Sequence, residues 1–166
     1  MASSEFVLDA SAFYAGVPFL SNSKCYTTNS VFKEVKHIKR SYGALEALID
    51  AGKLKVIEPK EIFVQQVISI AKKTGDFSKC SSADLSIVAL ALQLKKTTII
   101  SDDYAVGNIA TLLKIPIKSI GNKGITEIRN WVAFCSTCGK AYEPNITECA
   151  LCGNRLRRRS KKVIRE

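Results

Sequence analysis

Four of the six cysteines in this chain of 166 residues fall as Cys135-x-x-Cys138 and, ten residues on, Cys149-x-x-Cys152, while Cys25 and Cys80 stand alone. This is metal-ligand spacing rather than a disulfide framework. Each pair sets two thiolates on one tight turn. The glycine that follows each pair, Gly139 or Gly153, tolerates a positive φ and lets backbone N–H groups point at sulfur. With cysteine in all four positions, no coordination site is left for water, so the expected group is structural zinc. A segment of about 30 residues with so little apolar content cannot fold alone, and zinc's apparent binding energy of about 10–16 kcal/mol replaces a core there. Met1 to Asp9 carry no basic n-region and reach an acid at once. That fits an unexported, cytoplasmic chain whose thiols stay reduced.

Charge points to the partner. Lys and Arg number 25 against 15 Asp and Glu, a formal net charge of +10. Seven basic residues and one acid from Arg155 onward supply +6 of it. Four thiolates with one zinc carry −2, which brings the working charge to about +8. A polyanion, and nucleic acid first, is the expected partner; a basic end that merely aids solubility is the other reading. With 46% apolar residues a hydrophobic core forms without disulfides. The most apolar stretch, Ala83 to Leu94, contains Asp84 and falls short of the roughly 20 residues that cross a bilayer. No membrane partner is expected.

Ahead of the cysteines the chain alternates strand-like and helix-like segments. Phe6-Val7-Leu8, Cys25-Tyr26-Thr27, Leu54 to Ile57, Thr97 to Ile100 and Ile115-Pro116-Ile117 read as strands. Helical patterns begin at Ser11, run through Val31, Val35 and Ile38, span Glu61 to Lys73, follow the Ser81-Ser82-Ala83-Asp84 cap to about Lys95, and cover Ala105 to Lys114. The helix after Ser81 is apolar on nearly every face and should be buried. Strands separated by helices imply an α/β fold, a mainly parallel sheet flanked by helices, whose ligands bind beyond the carboxyl ends of the strands.

Asp9, Asp102 and Asp103 fall at such ends, and Glu34 and Asp84 lie in the first turns of two helices. Each has a structural reading as well. Asp84 completes a Ser-x-x-Asp capping box, Asp9 can cap the next helix, the aspartate pair can end a strand, and Glu34 can be a solvated face residue. Taken together they place carboxylates where the crevice of an α/β sheet lies. Two carboxylates 4 Å apart repel by up to about 4 kcal/mol at an effective dielectric of 20, so a cluster wants a divalent cation, and hard oxygen ligands select magnesium or manganese. An acidic metal site in a basic protein suits phosphodiester hydrolysis. A two-imidazole mechanism is excluded, because His37 is the only histidine. Trp131, Phe134 and Tyr142 sit in or beside the cysteine module, where packing is favoured over base stacking.

Val7-Leu8-Asp9-Ala10-Ser11-Ala12-Phe13, Glu34, Ser82-Ala83-Asp84 and Ser101-Asp102-Asp103 together resemble the PIN-domain ribonucleases over roughly residues 1 to 120. With Lys72-Lys73-Thr74-Gly75-Asp76 and the four-cysteine module added, the whole chain is similar to the Nob endonucleases of archaea and eukaryotes, which mature the 3′ end of small-subunit ribosomal RNA. The resemblance implies an acidic site on Asp9, Glu34, Asp84, Asp102 and Asp103, and zinc ligands at Cys135, Cys138, Cys149 and Cys152. The family's Thr-x-Asp selects Asp103 in this register, with Ser101 in place of threonine, and both aspartates stay open.

The sequence is therefore read as a PIN-like nuclease domain over 1–124, a zinc ribbon over 125–156 and a basic tail over 157–166. The expected activity is metal-dependent endoribonuclease action on precursor small-subunit ribosomal RNA, with that RNA, the pre-small ribosomal subunit and assembly factors as partners. The resemblance implies products with a 5′ phosphate and a 3′ hydroxyl. A non-catalytic zinc-ribbon RNA-binding protein of the ribosome and a toxin-type PIN ribonuclease are the alternatives. The ribbon argues against the second.

Overall fold

The structure is a computed structural model that describes residues 5–37, 42–121 and 128–163. Its larger part is a five-stranded sheet in the order β3-β2-β1-β4-β5, built from β1 (Glu5–Leu8), β2 (Cys25–Thr27), β3 (Leu54–Val56), β4 (Thr97–Ile100) and β5 (Ile117–Lys118). Every neighbouring pair is parallel. Parallel neighbours cannot be joined by a tight turn, so each link crosses over through helix. The helices are α1 (Ala10–Tyr14), α2 (Val17–Leu20), α3 (Asn29–Val35), α4 (Tyr42–Asp50), α5 (Glu61–Thr74), α6 (Ser82–Leu94) and α7 (Tyr104–Leu112). The expected α/β sheet is present, and its strands fall within a residue or two of the apolar runs that announce them.

From β1 the chain builds outward through β2 and β3, then returns to the other side of β1 for β4. The order therefore reverses between β1 and β4, the point at which open α/β sheets form their crevice. α6 fills the centre: Leu85 to Ala91 are all buried, as a helix apolar on every face requires. β1 and β4 flank it with Val7, Leu8 and Ile99, each fully or almost fully buried. Two short helices escape sequence pattern. α2 is a single turn with Pro18 near its start, and the residues that lead into α4 lie outside the described ones. The helical pattern through Ile38 likewise runs past the described part of α3.

A second sheet of three antiparallel strands, in the order β7-β6-β8, comprises β6 (Ile128–Phe134), β7 (Ala141–Tyr142) and β8 (Arg157–Val163). β8 is the principal departure from expectation, since residues 157–166 read as a basic tail and seven of them instead pair along β6 from Phe134↔Arg157 to Ile128↔Val163. Alternation hides this strand, because Arg-Arg-Arg-Ser-Lys-Lys offers no apolar face. Cation–π stacking replaces it: the Arg158 guanidinium lies 4.4 Å from the centre of the Trp131 ring and that of Arg159 lies 5.4 Å from the Phe134 ring. The aromatics of β6 thus pack, as expected, and what they pack against is arginine.

The two sheets meet at the turn after α5. Gly75 sits at φ +76°, and a Cβ there would lie 2.6 Å from the Pro144 Cβ and 2.8 Å from the Trp131 Cβ. Gly75→Ala should cost about 2 kcal/mol or more, because a left-handed conformation alone costs a side-chain-bearing residue roughly 1–2 kcal/mol and the overlap adds to it. A fall in the urea midpoint reads this. An unchanged midpoint would show that the second sheet is not seated on this turn.

Candidate functional site

Register brings the acidic residues together. Leu8 pairs with Ile100 at the ends of β1 and β4, so the next residue on each strand, Asp9 and Ser101, emerges side by side, and the Asp9 N–H donates to the Ile100 carbonyl at 3.2 Å. The Asp9 side chain is 6% exposed. Its Oδ1 accepts the Ala10 N–H at 2.6 Å, capping α1, and its Oδ2 accepts the Ser101 hydroxyl at 2.7 Å. Ser101 Oγ in turn accepts the Asp103 N–H at 3.0 Å. One buried hydroxyl therefore ties both strand ends together, and serine performs the hydrogen bonding expected of threonine at this position.

Asp84 and Asp103 are held by caps. Ser81 N–H donates to Asp84 Oδ2 at 2.6 Å and Asp84 N–H to Ser81 Oγ at 3.1 Å, a complete capping box. Val106 N–H donates to Asp103 Oδ1 at 3.0 Å, which caps α7. Each carboxylate thus commits one oxygen to a helix start, and among the described residues its other oxygen accepts no hydrogen bond. Burial pushes the Asp9 carboxyl up, the Ser101 and Ala10 hydrogen bonds oppose this, and the charges of Asp84 and Asp103 raise it further. Those three carboxylates share one electrostatic neighbourhood.

The remaining two acids stand apart. Asp102 turns away from Asp103: its Oδ1 accepts from the Ser119 hydroxyl at 2.5 Å, the Ile120 N–H at 2.8 Å and the Gly121 N–H at 3.2 Å. These donors hold its carboxyl below the ordinary range and pin the chain after β5. Glu34 is exposed on α3, a helix whose cap Thr28 reaches Ser86 of α6 through hydroxyls 2.7 Å apart. His37 is exposed. Of the sequence-derived set, Asp84 and Asp103 act electrostatically on Asp9, Asp102 performs a loop-tying role, and Glu34 is exposed at the surface. An unoccupied oxygen on each cap, mutual repulsion and a buried third carboxylate together suit a hard divalent cation.

The four cysteines bring their sulfurs within 4.8 Å of one another, the one such metal-ligand cluster among the described residues. The closest pairs, Cys138–Cys149 at 3.3 Å and Cys135–Cys152 at 3.5 Å, approach the roughly 3.8 Å edge of a tetrahedron with metal–sulfur bonds of about 2.3 Å. Two equivalent knuckles build it. In each, the first cysteine's carbonyl accepts from the glycine N–H, Gly139 at 3.0 Å and Gly153 at 2.8 Å, with both glycines at positive φ. The Tyr142 hydroxyl, 3.1 Å from Cys149 Sγ, and the N–H groups of Cys152 and Leu151 bring the Cys149 thiol down to about 5, while the neighbouring Cys149 and Cys135 sulfurs push Cys138 up to about 12. Four thiols this close cannot all ionise without a cation between them.

Asp76 and Arg158 are the residues that sequence pattern misses. Asp76 is fully buried, and its Oδ2 accepts from Thr74 Oγ1 at 2.9 Å and from Asn108 Nδ2 on α7 at 2.5 Å. Arg158 Nη2 stands 3.8 Å from Asp76 Oδ1. A solitary acid behind Lys72-Lys73-Thr74-Gly75 is the signal, and it reads as an ordinary turn. Cys80 lies between this pair and the acidic cluster. Burial, then Asp84, Asp103 and Asp76, push its thiol up to about 12, with Arg158 opposing.

Residues 6–94 match the family model described as a PIN domain of ribonuclease. The chain is 37% identical to a protein of Pyrococcus abyssi named endoribonuclease Nob1 over 152 residues, 90% of either chain. It is 34% identical to the endoribonuclease Nob1 of Methanocaldococcus jannaschii, covering 94% of this chain and 78% of that one. A Saccharomyces cerevisiae protein named 20S-pre-rRNA D-site endonuclease NOB1 is 40% identical over 70 residues, 42% of this chain and 15% of its own.

A raised Asp9 has a stability consequence with a definite sign. A carboxyl whose folded pKa lies above its unfolded value favours folding while protonated, and that contribution is lost as pH rises through the folded pKa. In metal-free protein, Asp9→Asn removes the buried charge, so it should raise the melting temperature by a few degrees near neutral pH. The gain should vanish below about pH 4, the ordinary aspartate range. Equal shifts at both pH values would show that the Asp9 charge is not the cost.

Proposed function

This chain belongs to the PIN-domain ribonucleases, within the Nob1 endoribonucleases, and from that premise we propose that it cuts precursor small-subunit ribosomal RNA at the bond that becomes the mature 3′ end. The electrostatic grouping of Asp9 at the end of β1 with Asp84 and Asp103 at the starts of α6 and α7 carries this reading. A magnesium or manganese ion held there would supply a polarised water and a counter-charge for the phosphate. The protein's own part is to hold three oxygens still. Asp9 is fixed by Ser101 and Ala10, and Asp84 and Asp103 by the caps of α6 and α7, whose N-terminal dipoles also favour the negative groups. Resemblance puts Glu34 in the same set. Its exposed position on α3 leaves it free to approach once substrate or metal is present. Hydrolysis there leaves a 5′ phosphate and a 3′ hydroxyl, and no imidazole acid–base pair is needed.

The second sheet supplies RNA affinity. Arg157 and Arg159 are exposed on it and Arg155 just ahead of it, and such groups bind phosphate without reading sequence. The four cysteines hold structural zinc, and the module docks on the pre-small ribosomal subunit in the cytoplasm, where assembly factors time the cut. The yeast relative, named a pre-rRNA endonuclease, supports this class of substrate. Among the described residues no helix is long and apolar enough to cross a membrane.

Two measurements test the reading. On RNA spanning the mature 3′ end with manganese, Asp9→Asn, Asp84→Asn and Asp103→Asn should each lose at least about 100-fold in cleavage, since loss of a second-layer partner alone costs 10–100-fold at metal sites. RNA affinity should stay within about threefold, and Asp102→Asn should keep most of the activity; normal cleavage by all three variants would mean the site lies elsewhere. Elemental analysis should find about one zinc per chain, and its removal should speed amide exchange across residues 128–163 while 5–121 stay protected. Metal-free protein with an undisturbed second sheet would contradict the structural role.

A further inference from the structure

Arg158 makes three contacts across the seam between the sheets and one within its own sheet. Its Nη2 donates to the Gly75 carbonyl, its Nη1 donates to Ser78 Oγ at 3.2 Å, and its guanidinium faces the Asp76 carboxylate at 3.8 Å while stacking on Trp131 at 4.4 Å. The Lys79 ammonium also lies over the Trp131 ring, at 4.3 Å. Although it belongs to the strongly basic strand β8, the Arg158 side chain is only 28% exposed, and Asp76 beneath it is 1% exposed. The strand alternates, so Arg158 lies on the face opposite to Arg157 and Arg159, and its contacts place its side chain in the seam. Among the described residues Asp76 Oδ1 has no hydrogen bond, and this guanidinium is the charge that faces it.

The far side of the pair leads to the acids. Asp76 holds Asn108 of α7, the helix that Asp103 caps, and four residues separate Asp76 from Asp84's cap, Ser81. β6 also packs against α5 and α7. One arginine on the RNA-binding sheet is thereby joined through Asp76 to the body of α7, whose start Asp103 caps, and along the chain to the start of α6.

We propose that the Arg158–Asp76 pair, closed over Trp131, fixes the cysteine-ribbon sheet relative to the acidic cluster and so selects which phosphodiester bond of a bound RNA is cut. The selection rests on the nuclease reading above. RNA gripped by the outward arginines of β8 reaches the carboxylates at a set distance only if the seam is rigid. A loosened seam leaves the chemistry intact and blurs the register of the cut. Arg158 and Asp76 are positioning residues in this scheme, and neither touches the reacting phosphate.

The test uses Arg158→Gln, Arg158→Lys and Asp76→Asn in the full chain, with zinc content checked. Cut positions are mapped on an end-labelled precursor RNA, and total cleavage is measured on a short unstructured oligonucleotide. Trp131, the only tryptophan, reports the seam without RNA. In R158Q and D76N we expect red-shifted Trp131 emission and at least a threefold loss in the fraction of cuts at the main bond, with oligonucleotide cleavage within threefold of wild type. R158K keeps the charge without the planar fork and should fall between. Scatter in R158Q alone would overturn the proposal, because buried Asp76 cannot meet RNA and Arg158 would then be a direct phosphate contact. Unchanged cut positions in both variants, or unchanged Trp131 emission, would also overturn it. Wild-type protein that leaves RNA uncut removes the nuclease reading and the bond selection with it, a failure told apart from that of the seam by the emission measured without RNA.

Discussion

The parallel register of β1 on β4 is the constraint on which the rest depends. Pairing Leu8 with Ile100 sets two strand ends level, so the residues that leave the two strands must share one small volume. Asp9 leaves the first and Ser101-Asp102-Asp103 the second. A slip of one residue would turn every side chain to the opposite face of the sheet, and Val7, Leu8 and Ile99, fully buried on one face or the other, would all have to repack. Core burial and site assembly are therefore specified by the same register, and the apolar side chains that cannot tolerate the slip keep Asp9 beside Ser101.

Helix capping and cation binding use the same carboxylates here. Asp9, Asp84 and Asp103 each accept a backbone N–H at a helix start, which is the structural reading of each residue, and each keeps lone pairs directed elsewhere. The two readings are alternatives only when the residues are taken singly. A cap restricts the carboxylate to one rotamer, so a cation meets oxygens whose entropy has already been lost on folding. Asp102 shows the contrast. Three donors converge on one of its oxygens, and the side chain serves the loop after β5.

How far the sequence discloses this depends on whether the determining contact is local. β1, β2, β4 and α6 are legible because apolar runs and the Ser81 cap are local signals, and the knuckles are legible because Cys-x-x-Cys-Gly fixes its own turn. The family's Thr-x-Asp favours Asp103, but the hydrogen bonds from residues 119–121 that commit Asp102 to a loop are distant, and no pattern within Ser101-Asp102-Asp103 reveals them. The Thr28–Ser86 hydroxyl pair joins residues 58 apart in the chain and has no signature at all. β8 is hidden for another reason. Strand patterns are recognised by apolar alternation, and this strand alternates in the direction of its arginines, a difference invisible in a run of identical side chains.

That alternation also explains how so basic a strand is tolerated. Like charges in succession repel, and Arg157, Arg158 and Arg159 on a free tail would spread into solvent. Pairing with β6 separates them by face. Arg158 turns inward to Asp76 and Trp131, Arg159 lies on Phe134, and Arg157 is left for solvent or phosphate. At the end of β8 where Arg157 pairs with Phe134, the knuckles begin at Cys135, whose N–H donates to the Lys140 carbonyl at 2.9 Å and closes the first turn. A strand with almost no apolar surface thus depends on two distant supports, the thiolate cluster at one end and a single buried aspartate along its length. Loss of either returns the segment to the solvated tail that its composition describes.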